Sequence, residues 1–569
     1  MPDKPEQLSY ELRIGVTGHR NLSNGSAVAE AVDKLVASID QLIGNPEDVP
    51  IEWCVISPLA KGSDRIVAKS ILKKKNARLE LLTPFPLDEY RKDFTDPEDL
   101  LEFNQLLQKA DPPLTEPLEK NADQNNSKPR TRGYLPVGRK VVDACEILIA
   151  IWDGKPSRGK GGTAEIVIYA LERGKTILRI NAENPKAQAT LLRPTKKKEA
   201  VTNTPDYQEL PLPDTAKKLS LNYHQFLEFC RDTSLSKEKE ASLIKECVQD
   251  IRQQAKKSAL PDAQLTPVLD YLIPTYVRAN ELSMIYQKQH VLLSKAIHVL
   301  SAIAVSVVVF QVTFLPEQKE IIALEICAMV GVLVALMISR QFSWHGKWID
   351  YRFLAEQLRT AIYTVVLELN PLSGPIHTTK TLPFYNKPKN WIDFSIDRQI
   401  SKVLNHSDKP AHFSAVKQFV VEGWLDDQKT WHKKNAHKKK HAEHRLHTAV
   451  IVLFCVTLAM AILHILEPES HIPEGQEIFY LSEWGKFLAI TLPAWGGALH
   501  AIGKQLEYDR VAERSNKMAG ELGRLLTLAN ESTTPDELRE IVQQAVQTIN
   551  LETYEWWALI SFNSPELVA

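Results

Sequence analysis

Four apolar runs in the second half of the chain limit its possible folds more than any other feature. Residues 296–315 form a run of twenty with only His298 and Gln311 strongly polar, the length that crosses about 30 Å of hydrocarbon as a helix. Residues 321–338 follow after a short turn and are interrupted only by Glu325, so the two runs read as a hairpin. A second hairpin is expected from residues 448–466 and the shorter, Gly- and Pro-containing run 487–502. Basic residues flank the outer ends: Lys288 and Lys295 before the first run, Arg340, Lys347 and Arg352 after the second, and six Lys/Arg with five His in 431–447 before the third. The connections within the hairpins are acidic, with one Lys against two Glu in 316–320 and one Lys against five Glu in 467–486. Basic residues near span ends stay on the cytoplasmic side. The pattern therefore predicts four transmembrane helices in the plasma (inner) membrane with both termini cytoplasmic. No basic-then-apolar leader begins the chain, so residues 1–290 are expected in the cytoplasm.

An internal repeat accompanies the hairpins. Residues Tyr351, Ala355 and Glu356 follow the first, and Tyr508, Ala512 and Glu513 follow the second, in the shared pattern Y-x-x-[LV]-A-E. Cys327, Gly331, Ala335 and Ser339 recur every four residues in the second run, a small-residue stripe that permits close helix contact. Polar groups within the runs, His298, Gln311, Glu325 and His500, either line a water path or hydrogen-bond between helices. The basic segment 431–447 suits anionic lipid headgroups beside a span.

Composition narrows the partners. The 569 residues carry 69 Lys+Arg against 70 Asp+Glu, a net charge of -1, which lacks the basic excess expected of a nucleic-acid-binding protein. Six scattered cysteines with no CxxC pair suggest neither a disulfide framework nor a zinc knuckle, and no metal site is expected.

Residues 10–181 alternate short β-rich runs (LRIGVTG, IEWCVIS, ARLELLT, EILIAIW, KTILRIN) with stretches of helical spacing. That rhythm predicts an α/β Rossmann-like domain with a parallel sheet. A polar stretch around 111–131 reads as an insert. Ligands of such sheets bind beyond the carboxyl ends of the strands. The candidates there are Thr17, Gly18, His19 and Arg20; Ser57, Gly62, Ser63, Asp64 and Arg65; and Asp153, Arg158, Gly159, Lys160, Gly161, Gly162, Thr163 and Glu165. Glycines in these turns let backbone N–H groups approach an anion, and the arginines and lysine add charge. The segment from Gly154 to Lys160 departs from a phosphate-binding GxxxxGK[ST] loop because Gly161 stands where a magnesium-binding hydroxyl belongs. A phosphate-bearing small molecule is the expected guest.

The motifs GVTGHR, SPLAKGSDRIVA and CEILIAIWDG followed by GGTAE resemble the SLOG superfamily, the Rossmann-like group that includes the LOG cytokinin-activating hydrolases and the DprA/Smf proteins. In the LOG branch an Arg-Lys pair and a Glu after a PGGxGT turn assist cleavage of an N-glycosidic bond; here Arg139-Lys140 and Glu165 match them, while Trp152-Asp153-Gly154 and an insertion replace the PGG. The second half is similar to SLATT modules, two-helix membrane units found beside SLOG partners in prokaryotic conflict systems, through YRFLAEQLR at 351–359 and more weakly Tyr508, Ala512 and Glu513. The resemblance implies a SLOG-like domain at 1–184, a helical coupling region at 185–290, membrane modules at 291–369 and 447–569, and a cytoplasmic insert at 370–446. It further implies an oligomeric membrane effector of antiviral defence, pore-forming or membrane-disrupting, controlled by a nucleotide-derived ligand and needing no cofactor. The alternative is a membrane-anchored LOG-like nucleotide hydrolase using Arg139 and Glu165.

Overall fold

The computed structural model describes residues 8–44, 48–110, 131–156, 161–195, 207–368, 390–404, 411–466 and 481–561. The chain divides into two compact units, one formed by residues 1–232 with 385–398 and the other by 233–384 with 399–569.

The first unit is built on a seven-stranded sheet of order β3-β2-β1-β4-β5-β6-β7. The five expected runs are β1 (Tyr10–Gly18), β2 (Ile51–Ser57), β3 (Ala77–Leu81), β4 (Ile147–Trp152) and β5 (Thr176–Asn181), all parallel. Central β4 is buried along all six residues, as a strand covered on both faces must be. The sequence reading missed two further strands, β6 (Thr190–Pro194) and β7 (Tyr207–Pro211), which add an antiparallel edge. β7 is mostly exposed, and its one-sided polar pattern carries little apolar signal.

Helices α1 (Gly25–Ile43), α2 (Ser63–Ile71), α3 (Thr131–Ala144), α4 (Thr163–Glu172) and α5 (Leu221–Cys230) belong to this unit. α1 shows how the local sequence sets an element. The Asn24 side chain accepts the Ala27 N–H as a cap, Val28, Val32, Leu35, Val36, Ile39 and Ile43 supply one buried face, and Gly44 at φ 70° ends it. The unit extends past residue 184 because β6, β7 and α5 complete it, and the described residues 390–398 return to it. There Trp391, 2% exposed, packs its ring 6.0 Å from Phe226 and 5.5 Å from Phe229. Trp391→Ala is expected to destabilise this unit by about 3 kcal/mol, read as an earlier unfolding transition of the full chain in detergent. An unchanged transition would show that the returning segment contributes no stability.

The second unit is helical: α6 (Ile273–Phe314), α7 (Ile322–Phe342), α8 (Trp344–Glu368), α9 (Asp427–Leu466), α10 (Leu481–Gln505), α11 (Tyr508–Glu531) and α12 (Pro535–Ser561). Among the described residues three helical stretches, Ile273–Phe314, Lys319–Ser339 and Phe413–Leu463, are long and apolar enough to cross a membrane. Ile451, Val452, Phe454, Leu458 and Leu463 of the last are exposed, an arrangement stable only against lipid or another apolar surface. α10 is diluted by Pro493, Gly496, Gly497 and His500 and is not among the three.

α6 and α7 pair through Ile297, Leu300, Val332 and Ala335. Gly331 of the small-residue stripe faces α6, where an added Cβ would sit 3.2 Å from Leu300 Cδ1, whereas Cys327 is exposed. Two of the in-span polar groups are satisfied within the protein. His298 Nε2 lies 3.0 Å from Gln505 Oε1, which also accepts from Ser294 Oγ, and Gln311 Nε2 donates to the Pro316 carbonyl at 3.3 Å. The two motif helices each follow a left-handed residue, Ser343 (φ 49°) before α8 and Glu507 (φ 48°) before α11. The element order thus repeats, but the register does not: Tyr351 lies two turns into α8 and Tyr508 opens α11.

Candidate functional site

The chain visits β1, β2 and β3 outward on one side of the sheet, then crosses to β4 and β5 on the other. The segments leaving neighbouring β1 and β4 therefore diverge, and a crevice opens beyond their carboxyl ends, the usual ligand position in this architecture. A cleft of about 420 Å³ occupies that point. Thr17, Gly18, His19 and Arg20 form one wall, Pro58, Ala60 and Asp64 a second, and Asp153, Lys155, Pro156, Gly161, Gly162 and Thr163 a third. Tyr134, Val137, Gly138 and Val141 of α3, with Trp152 and Ile166, supply apolar surface.

Backbone shape makes the crevice possible. Gly18 lies so close to Ser63 that a Cβ would fall 2.5 Å from its Oγ, and Gly62, at φ 83°, would place a Cβ 2.3 Å from the Arg20 carbonyl oxygen. The two turns are tied directly: Ser63 donates through both N–H (3.2 Å) and Oγ (2.8 Å) to the His19 carbonyl, and the His19 N–H reaches Ile151 O at 3.3 Å. Positive φ recurs in the turns that lead to the cleft, at Leu59 (55°), Gly62, Gly154 (85°) and Gly161 (78°), of which Gly161 lines it; Leu59 is the one non-glycine among them.

The N-terminal ends of α2 and α4 both open on the cleft, through Asp64 and through Gly162, Thr163 and Ala164. The positive dipole ends of the two helices favour an anion, although the first N–H of α2, that of Ser63, is spent on the His19 carbonyl. Arg20 stacks over the Tyr134 ring at 4.6 Å, which presents its guanidinium at the rim. Asp64 is the unusual group. It is 6% exposed, accepts the Ala60 N–H at 3.2 Å, and burial pushes its carboxyl up to about 7 against the opposing pull of that N–H, Arg20 and Arg65. Asp153 goes the other way. Partial burial works to raise it, but the Lys155 N–H at 3.0 Å and the His19 ring hold it below the usual carboxylate range.

Not every expected residue faces the cleft. Ser57 is fully buried, and its Oγ accepts the Leu59 N–H at 3.0 Å. Arg65 is 1% exposed and turned away, with Nε on the Leu59 carbonyl, Nη1 on Glu102 at 2.6 Å and its guanidinium 4.8 Å from the Phe94 ring. It holds the 58–62 turn rather than a ligand. Glu165 accepts the Gly161 N–H at 2.7 Å, and exposed Arg139 lies 5.2 Å over the Tyr169 ring. Neither is among the residues lining the cleft. Arg158, Gly159 and Lys160, and the insert around 111–131 apart from Thr131, lie outside the described residues.

No family model matches this chain, and no curated protein matches it. The site therefore speaks through its chemistry alone. Sequence reasoning missed the α3 wall. Tyr134, Val137 and Val141 recur at helical spacing, but only the tertiary fold brings that face to the β1–β4 opening.

Proposed function

We propose that this chain is a membrane protein whose N-terminal α/β unit captures a nucleotide-derived anion and whose helical unit responds by opening or disrupting the bilayer. The observation that carries this reading is the cleft at the sheet's reversal point, onto which two helix N-termini and Arg20 converge beside an apolar wall large enough for a base. Three membrane-length helices supply the responding region. In this reading α10 completes a second hairpin as the fourth span. Its contacts support that role: Trp484 packs 4.7 Å from Phe314, and Trp495 Nε1 donates to Ser306 Oγ at 3.1 Å. A ligand shifts such an equilibrium only by binding one arrangement more tightly, and one chain offers too few spans for a wide pore, so the active form is an oligomer. In this reading, which the SLOG and SLATT resemblances support, the chain acts as a nucleotide-controlled effector of prokaryotic antiviral defence.

Sensing is favoured over hydrolysis because Arg139 and Glu165 are each engaged locally rather than converging on the cleft. The test uses the full chain reconstituted in dye-loaded liposomes and presented with nucleoside phosphates and nucleotide–sugar conjugates. Dye release that depends on one ligand, with that ligand recovered intact, is the expected result. Release of free base that Glu165→Gln abolishes would establish the hydrolase instead, and leakage indifferent to every ligand would overturn the reading.

A further inference from the structure

We propose that His437 and His441 form a two-nitrogen clamp for a divalent transition-metal ion, of the Zn²⁺, Ni²⁺ or Cu²⁺ type, on the surface of α9. The two residues are one helical turn apart, which places them on one face of the helix. Their imidazoles converge until Nε2 stands 3.2 Å from Nε2, with ring centroids 4.3 Å apart and the planes at 70°. A metal bonded to two imidazole nitrogens at about 2.0–2.1 Å sets those nitrogens roughly 2.9–3.4 Å apart, from right-angled to tetrahedral coordination. The observed separation falls inside that bite. Both side chains are exposed, and without a metal the two nitrogens share a ring-to-ring hydrogen bond, which a bound ion would replace.

The surroundings select the ion. Lys433, Lys434, Lys438 and Lys440 are exposed on the same helix, and Lys439 lies over the Tyr508 ring at 5.0 Å. Their field repels dications in general, so binding has to come from bonding to nitrogen rather than from charge. Mg²⁺ and Ca²⁺, which take oxygen ligands, are excluded on that ground. Among the described residues no group of three or more His, Cys, Asp or Glu is arranged to hold a metal. The remaining coordination positions are therefore open to water or to an anion that the lysines attract. His441 stands seven residues before Thr448, about 10 Å along the helix at 1.5 Å per residue, so the clamp lies just outside the apolar run.

The test is calorimetric titration of the detergent-solubilised full chain with Zn²⁺, with Cu²⁺ electron paramagnetic resonance as the second readout. Saturable binding and a nitrogen-coordinated Cu²⁺ signal are expected. His437→Ala and His441→Ala should each weaken binding tenfold or more, the double variant should lose little beyond either single one, and His447→Ala should leave binding unchanged. All three positions are exposed, so a circular dichroism spectrum unaltered by the substitutions separates loss of the site from loss of the fold. Absence of saturable Zn²⁺ binding, equal loss in His447→Ala, or equal binding of Mg²⁺ would overturn the proposal.

Discussion

Gly62→Ala is expected to cost the N-terminal unit about 4 kcal/mol or more and to abolish anion binding in the cleft. At φ 83° an L-residue carries a backbone penalty of about 1–3 kcal/mol, and the new Cβ would lie 2.3 Å from the Arg20 carbonyl oxygen and 2.8 Å from that of His19. Both obstacles are main chain, so no side-chain rotation relieves them. The 58–62 turn or the 18–20 turn has to move, and either movement breaks the paired bonds from Ser63 to His19 that close the crevice floor. Limited proteolysis of the full chain in detergent, followed at the 58–62 turn, measures the loss. Wild-type resistance there would refute the steric account. Gly18→Ala is a second test of it, since the added Cβ would lie 2.5 Å from Ser63 Cβ and 2.9 Å from the Ile151 carbonyl oxygen.

Asp64→Asn should make both stability and anion affinity insensitive to this site's protonation. The folded carboxyl titrates near 7 because it is buried, with the Ala60 N–H, Arg20 and Arg65 only partly compensating, whereas an unfolded Asp titrates near 3.9. The folded state thus holds the proton more tightly. Its stabilising contribution is fully present below about pH 4 and is lost as pH rises through 7, about 4 kcal/mol across the window. At pH 8 the variant should therefore unfold at a higher temperature than the wild type, since an Asn oxygen still accepts the Ala60 N–H. Anion binding should follow the same group. A cleft carrying one more negative charge at pH 8 than at pH 5.5 should bind sulfate, which does not titrate in this range, roughly tenfold more weakly at the higher pH. The variant should show a shallower pH dependence than the wild type. A wild-type profile already flat between those values would refute the assignment of Asp64 as the titrating group.

The parallel strands and the first three membrane runs were legible because each depends on local pattern. β4 has to be apolar throughout to sit mid-sheet, and a helix in lipid needs about twenty apolar residues whatever surrounds it. The left-handed turns were legible at their glycines. Other features had no local signature. Arg65 follows Asp64 directly in a glycine-opened turn and reads as a ligand group, yet the helix sends the two side chains apart, Asp64 into the cleft and Arg65 onto Glu102 and Phe94. The edge strands β6 and β7 lack an apolar stripe, and the return of Trp391 to a core more than 150 residues upstream is a long-range contact that no window of sequence encodes.

The sequence by itself determined which segments become strands and membrane-length helices and where glycine allows the backbone to bend back, since those depend on side-chain period, length and φ freedom. Only the tertiary structure decided which charged residues of one turn face the cleft, which are consumed holding that turn, and that burial raises the Asp64 carboxyl well above the usual carboxylate range. Those outcomes depend on burial and distance across the fold, which the order of residues along the chain does not contain.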